Sequence, residues 1–184
     1  MPLTQQALDA AARRFWQCVL QRRWPFVFAE SCTGGLLAAT MTRIPGVSQL
    51  FCGSAVVYQV ETKAHWLGIP ARLLRRPGPV SHQVAQAMVR GLLERTPQAV
   101  LAVSTTGHLG PQAPAELDGV LYVGLGMRRP GRKRPRVISH HVELERPAPG
   151  TSPRQLRLRR QRQAVLCALQ LATSVLEATP PAGS

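Results

Sequence analysis

The sequence predicts an α/β protein: a mixed sheet of about five strands with helices on both faces. Three observations predict it. Helix-patterned and strand-patterned segments interleave along the chain. The strand segments Gly53–Tyr58 and Ala99–Val103 are continuous apolar runs, as strands buried on both faces require. Two strands, Val27–Glu30 and Ala99–Val103, run directly into loops of small polar residues. Such loops lie at the carboxyl ends of strands, where open α/β sheets bind ligands. A chain of 184 residues with 45% apolar content is long enough for one sizeable core. We expect a single domain over residues 1–178 and a frayed tail over 179–184, where Pro180-Pro181 and Gly183 stop any helix.

Leu3 to Arg22 reads as the first helix, with Leu8, Ala12, Phe15 and Val19 on one stripe. Trp24-Pro25 ends it, because the residue before proline avoids the helical region. Phe26 to Glu30 is the first strand. A second helix is expected over Thr33–Arg43, closed by Pro45-Gly46. A turn over Ser48–Phe51 leads to the strand Gly53–Tyr58. Glu61 to Leu67 is a short helix stopped by Gly68 and Pro70, and Arg75–Pro79 is a loop. Ser81 caps a helix to Arg95 with Val84, Met88, Leu92 and Leu93 inward. Ala99–Val103 is a strand ending in the loop Ser104–Pro111. Gly119–Gly126 is the fourth strand. Arg128–Arg134, with Pro130-Gly131, is a hairpin-like connection. Arg136–Glu145 alternates well enough for an edge strand. Arg154 to about Ala178 is the longest helix, with Val165, Leu166, Leu169, Ala172 and Leu176 facing the core.

The net charge of +14 is unevenly placed. Arg128–Arg162 carries twelve Lys/Arg against Glu143 and Glu145. Non-specific nucleic acid or another polyanion is one reading of that surface, and a solvated face that keeps the protein soluble is the other. No zinc-finger or RNA-binding signature accompanies the charge. The cysteines Cys18, Cys32, Cys52 and Cys167 have no metal-ligand or disulfide spacing, which fits a reducing cytoplasm. No basic-then-apolar leader and no run of about 20 apolar residues is present, so neither a signal peptide nor a membrane partner is expected. No metal or cofactor is expected either.

The stretch Phe26-Val-Phe-Ala-Glu30-Ser31-Cys32-Thr33-Gly34-Gly35-Leu36 is strand, tight turn, helix. It sets hydroxyl and thiol groups beside the N–H groups of a helix start, where an anion or developing oxyanion can be held. Ser31 and Cys32 are both candidate nucleophiles at this point, and a plain helix-capping role for Ser31 is the competing reading.

The ordered set Ala29-Glu-Ser-Cys-Thr-Gly-Gly-Leu-Leu-Ala38, Thr42-Arg-Ile-Pro-Gly-Val-Ser48, Phe51-Cys-Gly53, Val56-Val-Tyr58 with Lys63, and Leu67-Gly-Ile69 resembles the C-terminal domain of the competence/damage-inducible CinA family. Pro79-Val-Ser81, Thr106-Gly-His-Leu-Gly-Pro111 and Gly119-Val-Leu-Tyr-Val123 continue it, so that it covers about Leu8 to Leu176. The resemblance implies a three-layer α/β/α sandwich. It also implies a nicotinamide-nucleotide amidase, which hydrolyses the carboxamide of nicotinamide mononucleotide to nicotinate mononucleotide and ammonia. On the family pattern Ser31 is the nucleophile, Lys63 the base, and Tyr58 a proton relay or an orienter of Lys63. Backbone N–H groups at Thr33, Gly34 and Gly35 would hold the oxyanion, and Thr106, Gly107 and Gly110 would take part of the mononucleotide. Arg157 is the family's phosphate arginine, with Arg154, Arg159 and Arg160 as competitors because the usual Gly-Asp before it is missing. Gln59-Val60 and His108 also depart from the family pattern, which leaves a related amide substrate, or a non-catalytic binding role, as alternatives. A homo-oligomer is expected.

Overall fold

The computed structural model describes residues 3–129, 131–146 and 148–179. The expected tail, apart from Thr179, and Pro130 of the basic connection lie outside them. The chain forms five strands: β1 (Phe26–Glu30), β2 (Phe51–Val56), β3 (Leu101–Gly107), β4 (Val120–Met127) and β5 (Arg136–Glu143). Its helices are α1 (Gln5–Arg22), α2 (Leu36–Met41), α3 (Val60–Leu67), α4 (Ala71–Arg75), α5 (His82–Arg95) and α6 (Pro153–Glu177).

The sheet is mixed, in the order β2-β1-β3-β4-β5. β2, β1 and β3 are parallel, and β4 and β5 add antiparallel. From β1 the chain moves to one side to make β2, then returns past β1 to make β3. The connections after β1 and β3 therefore diverge and open a crevice at the carboxyl ends of both strands. β5 is an edge strand, as its imperfect alternation suggests.

Strand alternation divides the core into two layers. Phe26 and Phe28 face α1, α2 and α6, joined by Leu101, Val103, Leu121 and Leu125. All four phenylalanines of the chain meet there, with ring centroids of Phe15–Phe26 and Phe26–Phe51 at 5.2 and 5.1 Å. Val27, Ala29 and Ala102 face the other way, against Leu67, Leu74, Val84, Met88 and Leu92 of α3, α4 and α5. The architecture is the three-layer sandwich expected.

Several boundaries differ from the sequence reading. The second strand runs over Phe51–Val56 rather than Gly53–Tyr58, and it is a half-buried edge strand rather than one buried on both faces. The second helix is short, because Ser31 to Gly35 forms a turn in which Gly34 and Gly35 take φ of +60° and +97°, a region that side-chain-bearing residues avoid. β3 runs on through Ser104-Thr-Thr-Gly107, where the sequence predicts a loop. Ser104 and Thr105 are buried between β1 and β4, and Thr106 and Gly107 continue the strand by pairing with β4 alone. Finally, α4 fills residues 71–74, to which the sequence reading assigns no element, and takes in Arg75, the first residue of the expected loop Arg75–Pro79.

Candidate active site

A cleft of about 750 Å³ opens at the carboxyl ends of β1 and β3. Its walls come from five places in the chain, one of them Pro79-Val80 before α5. Ser31 and Cys32 follow β1, Tyr58 and Lys63 follow β2, Thr106 to Ala113 end β3, and Arg154 and Arg157 begin α6. No Asp or Glu is among its lining residues.

Ser31 and Lys63 meet inside it. Lys63 Nζ lies 2.8 Å from Ser31 Oγ and donates to the carbonyls of Val57 at 3.1 Å and Tyr58 at 3.3 Å. The lysine residue is only 2% exposed and Ser31 7%. Among the described residues no carboxylate pairs with this amine. Burial strips water from the charged form, so the Lys63 pKa is held below the ordinary lysine value, with only a minor opposing effect from Cys32. Cys32, the rival nucleophile, is pushed up to about 12, first by burial. It therefore stays a thiol at neutral pH, while Ser31 supplies the side chain of the turn that is hydrogen-bonded to the amine.

The turn itself is organised by a residue the sequence reading passed over. Glu30 is fully buried, and its carboxylate accepts five hydrogen bonds. Oε2 takes the Thr33 hydroxyl at 2.8 Å and the amides of Gly35 and Leu37 at 3.0 Å. Oε1 takes the Ala38 amide and the Ser54 hydroxyl at 2.9 Å. The N-cap of α2 is Gly35, which has no side chain to cap with, so Glu30 supplies the cap from five residues upstream. The missing cap, with a buried-strand glutamate just ahead, was the available signal.

This arrangement corrects the expected oxyanion hole. The Gly35 amide is bonded to Glu30 and the Gly34 amide to Ser31 O at 3.1 Å. Thr33 is fully buried, with its hydroxyl shared between Glu30 and Thr105 Oγ1 and its carbonyl held by Gln161 Nε2 at 2.7 Å. None of Thr33, Gly34 or Gly35 lines the cleft. Cys32 is a lining residue of the cleft, and its amide donates to no other residue among the described residues.

Tyr58 is likewise corrected. It touches Lys63 through its backbone carbonyl, whereas its hydroxyl accepts from Arg157 Nη2. Arg157 also donates from Nη1 to Gly110 O at 2.9 Å, so this side chain joins two walls of the cleft. Of its competitors, Arg160 is buried and forks onto Asp118 at 2.6 and 3.0 Å, and Arg159 pairs with Glu145 at 2.6 Å. Only Arg154 shares the cleft with Arg157.

Thr106, Gly107 and Gly110 do line the cleft. The Thr106 hydroxyl donates to Pro79 O at 2.8 Å, leaving its lone pairs to accept. A Cβ at Gly107 would stand 2.7 Å from Val120 O, and one at Gly110 2.6 Å from Asp118 Oδ1, so both glycines answer to internal packing as well. His108 lines the same wall, and burial lowers its pKa against the opposing pull of Asp118. Among the described residues no three His, Cys, Asp or Glu side chains gather as metal ligands, and no helix is long and apolar enough to cross a membrane.

Comparisons with known proteins bear on this site. The family model described as CinA C-terminal domain matches residues 8–147, stopping before α6. A CinA-like protein of Myxococcus xanthus is 40% identical over 103 residues, 56% of this chain and 24% of that protein. One of Chlorobium phaeovibrioides is 43% identical over 113 residues, 60% of this chain and 26% of that protein. The matched region thus spans about a quarter of the length of these curated relatives. The solved structure of competence/damage inducible protein CihA from Agrobacterium tumefaciens superposes with a TM-score of 0.79 at 28% identity, covering 93% of this chain and 96% of that one. A CinA superfamily protein from Klebsiella pneumoniae, at 22% identity, has the same fold with a TM-score of 0.80 over 94% and 99% of the two chains.

Proposed function

The chain belongs to the CinA C-terminal domain family, and on that premise we propose that it is an amidase that hydrolyses the carboxamide of nicotinamide mononucleotide. The observation that carries the proposal is the set of partners around Lys63 Nζ. A neutral amine has two N–H groups and one lone pair. Two carbonyls, Val57 and Tyr58, accept the two N–H bonds, which leaves the lone pair for the Ser31 hydroxyl. Burial without a carboxylate favours that neutral form. The pair is thus set up as base and nucleophile.

In the proposed reaction Ser31 Oγ attacks the carboxamide carbon and its proton passes to Lys63 Nζ. The tetrahedral oxyanion takes the Cys32 amide, a kind of contact whose loss typically costs about 3–4 kcal/mol in the barrier. Lys63 returns the proton to the departing nitrogen, the C–N bond breaks, and ammonia leaves. Water, deprotonated by Lys63, then cleaves the Ser31 ester to release the nicotinate carboxylate and regenerate the hydroxyl. At the far side of the cleft Arg157 and Arg154 are cations without carboxylate partners among the described residues, in the first turns of α6. They and the positive end of that helix suit the substrate phosphate.

His108 in the cleft wall supports one second reading, a related carboxamide as the preferred substrate. Ammonia release from nicotinamide mononucleotide and a panel of other carboxamides tests both. The expected result is release from the mononucleotide that is lost in Ser31→Ala and Lys63→Ala. Release from another amide alone would favour the second reading, and no release from any would overturn both.

A further inference from the structure

At the opposite end of the sheet from the cleft lies a second, wholly different groove. Register fixes the separation. Gly107, at the cleft end of β3, pairs with Leu121, whereas Leu101 at its other end pairs with Met127, which in turn pairs with Arg136. The β4–β5 connection therefore stands at the amino ends of β1 and β3. It packs near the last turns of α5 and encloses a groove of about 530 Å³.

Four cations line this groove, Arg90, Arg128, Lys133 and Arg134, with Glu94 as its one carboxylate. None of the four is in an ion pair among the described residues. Arg128 is held in place: Nε donates to Ala99 O at 3.0 Å and Nη2 to Leu93 O at 2.5 Å. Its Nη1 has no acceptor among the described residues. Exposed Arg129, Arg132 and Arg136 extend the charge along the connection, which contains no acid between Arg128 and Arg136. The positive surface is thus a track with a fixed anchor, too long for a single small anion. Arginine forks suit phosphate oxygens. No aromatic side chain lines the groove, so bases have nothing to stack on and the backbone alone can be read.

We propose that this groove binds the phosphodiester backbone of nucleic acid without sequence preference. The proposal is independent of the amidase reading, because it uses no residue of the cleft. The structure also divides the Arg-rich 128–162 region. Arg154 and Arg157 belong to the cleft, Arg159 and Arg160 are paired, Arg146 and Arg162 stand exposed outside the groove, and the connection keeps most of the free charge.

The test is fluorescence anisotropy with a fluorescein-labelled DNA duplex of about 20 base pairs, titrated at about 50 to 200 mM salt. Lys133→Glu/Arg134→Glu removes two exposed groove cations. Arg13→Glu/Arg162→Glu makes the same change in net charge on exposed residues outside the groove. The wild type is expected to bind at low salt with an affinity that falls steeply as salt rises. The groove variant should bind roughly tenfold or more weakly, with a salt slope smaller by about 2. The control variant should stay within about threefold of wild type. Both variants are checked for folding by thermal unfolding. Absence of binding at low salt, equal loss in the two variants, or displacement of the duplex by polyglutamate as effective as by unlabelled duplex would each overturn the proposal.

Discussion

Lys63 Nζ stands 2.8 Å from Ser31 Oγ in a buried pocket where its other partners are two backbone carbonyls. Because burial holds its pKa below the ordinary lysine value, the neutral base is recovered at a lower pH than for a solvated lysine. Between the two values the folded protein binds fewer protons than the unfolded chain. Stability therefore rises with pH across that window. We expect kcat/KM for ammonia release to rise with pH through the lowered Lys63 pKa. Lys63→Arg, which cannot supply a neutral base, should lose about 10²–10⁴ of the rate. A flat pH–rate profile for the wild type would contradict the assignment.

Cys32 adjoins the nucleophile but is held as a buried thiol, pushed up to about 12. Cys32→Ala is expected to keep activity within about tenfold and to lose about 1 kcal/mol of stability from the small cavity left. Iodoacetamide near neutral pH should leave the wild type active, since the thiolate is scarce and enclosed. Inactivation by the alkylating agent that Cys32→Ala abolishes would transfer the nucleophile's role from Ser31.

Glu30 accepts five hydrogen bonds and touches no part of the cleft. Glu30→Gln keeps the shape but turns an amide NH₂ toward backbone N–H groups, which can only donate. A cost of about 2–4 kcal/mol is expected from the lost charge-assisted bonds and the unpaired donors. Denaturant unfolding measures it. The turn carrying Ser31 rests on the same carboxylate, so kcat should fall with little change in KM.

Arg157 joins Tyr58 to Gly110 across the cleft. Arg157→Met should raise KM for the mononucleotide by about tenfold or more while changing kcat less, as expected when a cation binds the phosphate rather than the reacting carboxamide. Nicotinamide riboside, which lacks the phosphate, should show little difference between wild type and variant.

The sheet, its edge strand and the helices bounding it were legible because each has a period and a stop signal: Ser81 before α5, for instance, or Trp24-Pro25 before β1. The extension of β3 was not. Ser104 to Gly107 is small and polar, the composition of a loop, and becomes strand because β4 pairs with all of it and β1 with its first two residues. Ser31 and Lys63 were identified through the family pattern, since a serine in a turn and a lysine on a helix carry no mark of their contact. The Thr33–Gly35 amides looked available because a helix start offers unpaired donors. What sequence could not show is that a carboxylate five residues back had already taken one of them. The Tyr58 hydroxyl's partner lies 99 residues away, beyond any local pattern.

That Glu30 occupies the start of α2 has a consequence for how the protein can change. Of the proposed bond-breaking groups, Ser31 sits on the turn after β1 and Lys63 on α3, while Arg154 and Arg157 ride on α6, outside the segment that the family model matches. On the proposed reading, the reacting pair and the phosphate-binding arginines therefore lie on separate stretches of chain. Substitutions in the first turns of α6 can redirect the protein to a new ligand while the Ser31–Lys63 pair keeps its chemistry, and the missing Gly-Asp before Arg157 is where such drift has room to occur.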